Sequence, residues 1–96
     1  MELIKGGLYS ISIIPENYYI FILDNDFDEL FFYQIKARFN SLNDMIHYIE
    51  PDLACEEHDI LRKNIVKIDK NKFIENYDGF LGVIEDWMIE ELENIL

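Results

Sequence analysis

The stretch Asp24-Asn25-Asp26-Phe27-Asp28-Glu29 places four carboxylates within six residues, between the apolar runs YYIFIL and LFFYQI. A cluster of this kind suits a cation site, a pair of catalytic acids, or a charged turn that does no chemistry. Asp24, Asp26 and Asp28 match the first three ligand positions of an EF-hand calcium loop. Such a loop also needs glycine at its sixth position and a bidentate glutamate at its twelfth. Glu29 and Ile35 stand there instead, and the flanking runs suit strands rather than helices. A hairpin turn fits better, because Asp and Asn tolerate turn geometry and hydrogen-bond their own backbone. Two of the aspartates could bind magnesium, but such pairs arise by chance in a chain this acidic. No metal site is assigned.

Cys55 and His58 are spaced C-x-x-H, and His47 is the only other histidine. Zinc requires four ligands, and no second Cys or His pair completes the set. The neighbours Glu56, Glu57 and Asp59 oppose a thiolate, since negative charge beside a thiol disfavours its ionisation. The chain carries no Gly-rich phosphate loop, nucleophile elbow or H-E-x-x-H motif. No catalytic residue or cofactor is assigned.

The elements that position these residues follow from periodicity. In residues 8–14, Tyr9, Ile11 and Ile13 alternate with Ser10 and Ser12, as in a half-buried strand after Gly6-Gly7 and before Pro15. Residues 18–23 are apolar on both faces, as in a covered central strand. Residues 30–39 alternate again, with Phe31, Tyr33, Ile35, Ala37 and Phe39 inward and Gln34, Lys36 and Arg38 outward. Short connections make these three an antiparallel meander.

Leu42, Met45, Ile46 and Ile49 then form one helical stripe over 41–49, with Ser41 and Asp44 in a capping arrangement. Pro51 is expected to stop this helix at Glu50. Residues 52–63 fit a loop or a turn of helix. NIVKID predicts a fourth strand and KFI, at 72–74, a short fifth. Ile84, Trp87, Met88, Leu92, Ile95 and Leu96 form a second helical stripe, expected to close over the sheet. The fold class is α+β: a small antiparallel sheet or barrel of four to five strands, a short middle helix and a C-terminal amphipathic helix.

Ninety-six residues without repeats or linkers make one domain, 1–96, and half of them are apolar. There is no run of about 18 apolar residues that would span a membrane. The opening MELIKGG lacks the features of a secretion signal. With a single cysteine, the expectation is a reducing, cytoplasmic setting.

Twenty acids against eight bases give a formal charge of −12, beyond the roughly 2 to 8 units that suffice for solubility. Direct binding to nucleic acid or an anionic membrane is disfavoured, because both need basic surface. The charge is uneven: −9 over residues 1–60, +4 over 61–72, and −7 over 73–96. The last helix carries Glu85, Asp86, Glu90, Glu91 and Glu93. Its final turns place carboxylates where the helix dipole favours cations, by roughly 0.3 to 1 kcal/mol each. A charge that costs the fold stability points to something outside it.

Several short motifs resemble the PemK/MazF family of endoribonuclease toxins. IKGGLYSISI resembles the family's Lys-Gly step into a strand, ILRKNIVKIDKNKFI its later strand and turn, and LGVIEDWMIEELENIL its closing glycine and acidic helix. The resemblance implies an SH3-like barrel and, in its active form, RNA cleavage. The family's Arg-Pro step entering the second strand is replaced by ENYYIF, and only Arg38 and Ser41 stand near its Ser or Thr position. Any activity is therefore expected to be lost or altered.

The function expected from the sequence is that of a small acidic inhibitor. It would occupy the basic groove of a nuclease or other nucleic-acid-handling protein, as immunity proteins and phage anti-defence proteins such as anti-CRISPRs do. The binding residues would be Asp24, Asp26, Asp28 and Glu29 in the turn and Glu85, Asp86, Glu90, Glu91 and Glu93 on the helix. A PemK/MazF-like ribonuclease using Arg38 and Ser41 is the alternative. Assembly through Tyr18, Tyr19 and Trp87 is a third.

Overall fold

A computed structural model describes residues 3–11, 17–24, 28–37, 39–54 and 58–96. Strands β1 (Gly7–Ile11), β2 (Asn17–Asp24), β3 (Glu29–Lys36) and β4 (Ile65–Asp69) form an antiparallel meander, and β5 (Tyr77–Val83) returns to pair with β1. The order across the five-stranded sheet is β4-β3-β2-β1-β5. Helices α1 (Leu42–Ala54) and α2 (His58–Arg62) separate β3 from β4. Helix α3 (Lys70–Asn76) joins β4 to β5, and α4 (Asp86–Asn94) follows β5. The α+β class, the sheet, the middle helix and the C-terminal helix all match the sequence reading. Residues 12–14 of the first expected strand, Asp26, Arg38 and Cys55 lie outside the described residues, as does the His58 side chain.

The sheet is buried on both faces. On one, Leu8, Ile20, Ile22, Tyr33 and Ile35 pack with Met45, Ile49 and Leu53 of α1 and Met88 and Leu92 of α4. On the other, Tyr9, Ile11, Tyr19, Phe21, Leu30 and Phe32 surround Phe73 of α3. This corrects the one-sided reading of β1 and β3, because Leu8, Leu30 and Phe32 are as buried as their alternating neighbours. Helices α1 and α4 cover one face of the sheet and α3 the other, so both faces of these strands meet a layer of core.

Lys72-Phe73-Ile74 is helix, not strand. Asp69 ends β4 and caps α3, its Oδ1 accepting the Lys72 N–H at 3.0 Å, which satisfies one of the amides that a helix start leaves unpaired. Phe73 then lies against Phe32 (4.5 Å between ring centroids), Tyr9 (5.8 Å) and Tyr77 (5.8 Å). The length of α3 sets the curvature of the sheet. Four gaps between flat strands would separate β4 from β5 by about 19 Å, whereas seven helical residues advance about 10 Å. The sheet therefore curls around α3, and Phe73 fills its concave side.

Two further expectations change. Helix α1 runs through Pro51 to Ala54. An interior proline costs about 3 kcal/mol, but the continued helix carries Leu53 into the core at 1% exposure, a burial that returns about 1.5–3 kcal/mol. The carbonyl that proline leaves unpaired is that of His47, an exposed residue. The fifth strand is β5, whose sequence YDGFLGV lacks clean alternation. Gly82 there has φ +144° and leaves no room for a Cβ against Leu42 of α1.

Phe73→Ala is expected to lower the unfolding free energy by about 3–5 kcal/mol, and Asp69→Ala by about 1 kcal/mol, in urea denaturation. A surface strand over 72–74 would make both substitutions nearly silent.

Candidate interaction surface

The DNDFDE segment joins β2 to β3 as a hairpin. Asp24 ends β2, Glu29 begins β3, and Asp28 between them has φ +60°, a left-handed conformation that Asp adopts more readily than most residues. The Asp28 carbonyl accepts the Lys70 N–H at 2.9 Å, and Glu29 pairs with Asp69 in the β3–β4 register. The turn is thereby tied to the start of α3. Asp24 and Asp28 are exposed, while Glu29 is half-buried and has a partner of its own. Asp26 lies outside the described residues. Among the described residues, no three His, Cys, Asp or Glu side chains converge on a point suited to a metal.

Helix α4 begins at the same end of the sheet. The Ile84 N–H donates to the Gly6 carbonyl, and the Gly6 N–H donates to the Phe21 carbonyl, so β5 leaves the sheet beside the end of β2. Gly6 has φ +76°, and Ile89 of α4 occupies the space a Cβ would need. Met88, Leu92 and Ile95 face the core together with Ile84. Asp86, Glu90 and Glu93 are spaced i, i+4 and i+7, which puts them along one side of the helix. Asp86 and Glu90 are exposed. Asp86 lies in the first turn, where the helix dipole favours a negative charge. Glu85 Oε2 accepts the Trp87 indole N–H at 2.6 Å. Glu91 is half-buried and partnered.

The far end of α4 is less frustrated than its own sequence suggests, because cations reach it from elsewhere. Arg62 of α2 donates from Nε to the Ile95 carbonyl at 3.1 Å and from Nη1 to Asp59 Oδ1 at 3.0 Å. Lys5, just before β1, meets Glu93 at 2.6 Å. Both partners of that pair are substantially exposed, so its contribution is small. Sequence reasoning judged the helix end by residues within the helix and missed these long-range partners.

The predicted site residues thus fall into two groups, the β2–β3 turn and the outer side of α4, a helix that begins at the same end of the sheet. The turn is not purely acidic in setting, since Lys70 and Lys72 begin α3 beside it. The basic segment follows the β4 edge, where the Lys67 ammonium lies 5.2 Å from the centre of the Phe31 ring. Asp78 on β5, which sequence reasoning did not select, is exposed and accepts the Ser10 hydroxyl at 3.0 Å. Its strand was unrecognised, so it carried no positional signal.

The remaining chemistry is structural. Ser41 Oγ accepts the Asp44 N–H at 3.2 Å, as a helix cap. Burial raises the Tyr33 hydroxyl above its ordinary value of 10.0, against a lowering by its bond from Asn64. Tyr19, proposed for assembly, is 3% exposed, and Tyr18 and Trp87 pack against the core. No helix of the described residues is long and apolar enough to cross a membrane. Set against protein-family models, curated proteins and solved structures, the chain matches none.

Arg62→Ala is expected to cost about 1 kcal/mol of stability, because it removes the Ile95 carbonyl's charged donor. Asp59→Ala should change stability by less than about 0.5 kcal/mol. Urea titrations of both variants check this difference.

Proposed function

We propose that this protein is an acidic, non-enzymatic inhibitor that occupies the basic groove of a nuclease or another nucleic-acid-handling protein in the cytoplasm. Immunity against a nuclease toxin and phage anti-defence activity, including anti-CRISPR inhibition, are the settings that suit it. The reading is carried by the outer side of α4. Asp86 and Glu90 are exposed along it, with Glu93 half-buried and paired to Lys5, while Met88, Leu92 and Ile95 hold the inner side in the core. Packing requires only the inner side, so a row of like charges, mildly repulsive at i, i+4 spacing, serves solubility or a partner. With a net charge of −12, such a row steers a basic partner and contributes to its capture rate. Asp24 and Asp28 add to the field from the neighbouring turn, and nucleic-acid mimicry is the natural form of the contact.

The second reading is a degenerate PemK/MazF-like ribonuclease. In its favour, the resembling segments fall at matching junctions: Lys5-Gly6 at the entry to β1, IDKN at the β4–α3 step, and Gly82 shortly before α4. The capping role of Ser41 weighs against its use in catalysis.

Capture from the native host should yield a basic nucleic-acid-handling protein whose activity falls on binding. Its affinity is expected to drop about tenfold or more between roughly 50 and 200 mM salt. Converting Asp86 and Glu90 together to lysine should abolish inhibition without altering the circular dichroism spectrum. A salt-insensitive complex, or one indifferent to those reversals, overturns the proposal. RNA cleavage by the wild type that disappears in Arg38→Ala would establish the ribonuclease instead.

A further inference from the structure

The concave face of the sheet is filled beneath Phe73 and open between β4 and α3. Near the β2–β3 turn, Phe21, Leu30 and Phe32 fill it beneath Phe73. Beside them, Ile11, Tyr19, Gln34 and Val66 line an open part of the same face from β1, β2, β3 and β4, with Tyr19 opposite Gln34 and Val66 opposite Phe32 in the strand register. Gln34 continues the alternation of Leu30 and Phe32 with a polar side chain, and Val66 is small. A pocket of about 390 Å³ opens there, bounded by β4 and by Lys72, Phe73 and Asn76 of α3. That volume and position, at the mouth of a curled sheet, suit a small-molecule site.

Its polar groups are unevenly used. The Tyr19 hydroxyl oxygen accepts from Gln34 Nε2 at 3.1 Å and from Asn17 Nδ2 at 3.4 Å. Among the described residues, this leaves the Tyr19 hydroxyl proton without an acceptor and Gln34 Oε1 without a donor. Asn76 Nδ2 is taken by the Lys72 carbonyl, and Asp69 Oδ1 by the Lys72 amide. The Lys67 ammonium is committed to the Phe31 ring. The Lys72 ammonium has no ion pair among the described residues, at the rim of a pocket whose floor is Val66, Ile68 and Phe73. Asp69 is the opposing charge on that rim.

We propose that this pocket binds a small organic carboxylate. Its apolar body lies over Val66, Ile68 and Phe73, and its head group meets Lys72. The Tyr19 hydroxyl and Gln34 amide receive a polar substituent at the inner end. An apolar slot with one cation and a donor–acceptor pair rewards a ligand that is oily along its length and anionic at one end. This site is independent of the inhibitor reading, because α3 and α4 cover opposite faces of the sheet.

The probe is 4-phenylbutyrate, titrated into the full ¹⁵N-labelled chain at about 0.15 M salt so that the protein's net charge is screened. Saturable shifts are expected at the amides of Gln34, Val66, Phe73 and Asn76, with a dissociation constant of about 1 mM or lower. The uncharged 4-phenylbutyramide and the Lys72→Gln variant should each bind about tenfold more weakly, the loss of one charge-assisted contact. Lys72 is exposed, so its substitution does not endanger folding. Equal binding of acid and amide, an unchanged Lys72→Gln affinity, or no saturation by about 10 mM overturns the proposal.

Discussion

Phe73 links the parts of this fold that are furthest apart in sequence. Its ring touches Tyr9 on β1, Phe32 on β3 and Tyr77 at the start of β5, and the helix carrying it joins the two edge strands of the sheet. A flat sheet cannot accommodate so short a connection, and a curled one needs something bulky inside it. Phe73 meets both demands. Aromatic pairs in edge-on and tilted arrangements contribute roughly 0.5–1.5 kcal/mol beyond the area they bury. The concave core is built almost wholly from such pairs. The Phe73 ring fills the sheet beside Phe32 and Tyr9 and forms one wall of the pocket between β4 and α3.

Against this cohesion stands a net charge of −12 on 96 residues, a self-repulsion that every local tie must help offset. The few cations placed near acids are used for structure. Lys5 meets Glu93, and Arg62 reaches both Asp59 and the end of α4. Asp69 is an acid turned to structural use, as the cap of α3. Asp86 and Glu90 have no such role in packing. The contrast separates carboxylates that hold the fold from those that packing does not use.

Much of the architecture was legible in the sequence, and the misses share causes. A continuous apolar run located β2, and alternation located β1, β3 and β4, because a strand's inward side chains recur every second residue. It failed to show that β1 and β3 are buried twice, since sheet position depends on pairing that no local window contains. KFI looked like a strand from its β-branched and aromatic content. The decisive signal was Asp69 three residues before Lys72, a cap spacing overshadowed by the short apolar run. Pro51 looked like a stop because local propensity disfavours it, and Leu53 overrode that preference through burial. In β5, Asp78, Gly79 and Gly82 broke the pattern, and the side chains that crowd the two glycines, Ser10 of β1 and Leu42 of α1, lie far off in sequence. Of the candidate site, the carboxylates were visible but their partners were not. The pocket beside Phe73 could not be seen at all, since it depends on α3.

The two faces of the sheet carry different kinds of surface, and this follows from how they are covered. Helices α1 and α4 lie over one face with complete apolar stripes, so what that side presents to the outside is the polar half of each helix, and on α4 that half is acidic. The other face has only the seven residues of α3, too few to cover five strands. The remaining part leaves a pocket lined by Ile11, Tyr19, Gln34 and Val66 from the strands. A macromolecule of opposite charge is suited to the first surface because its contacts are long-range and additive. A small ligand is suited to the second because its contacts are short, enclosed and few. Neither surface borrows a residue from the other, so a substitution on α4 and one on α3 report on different surfaces.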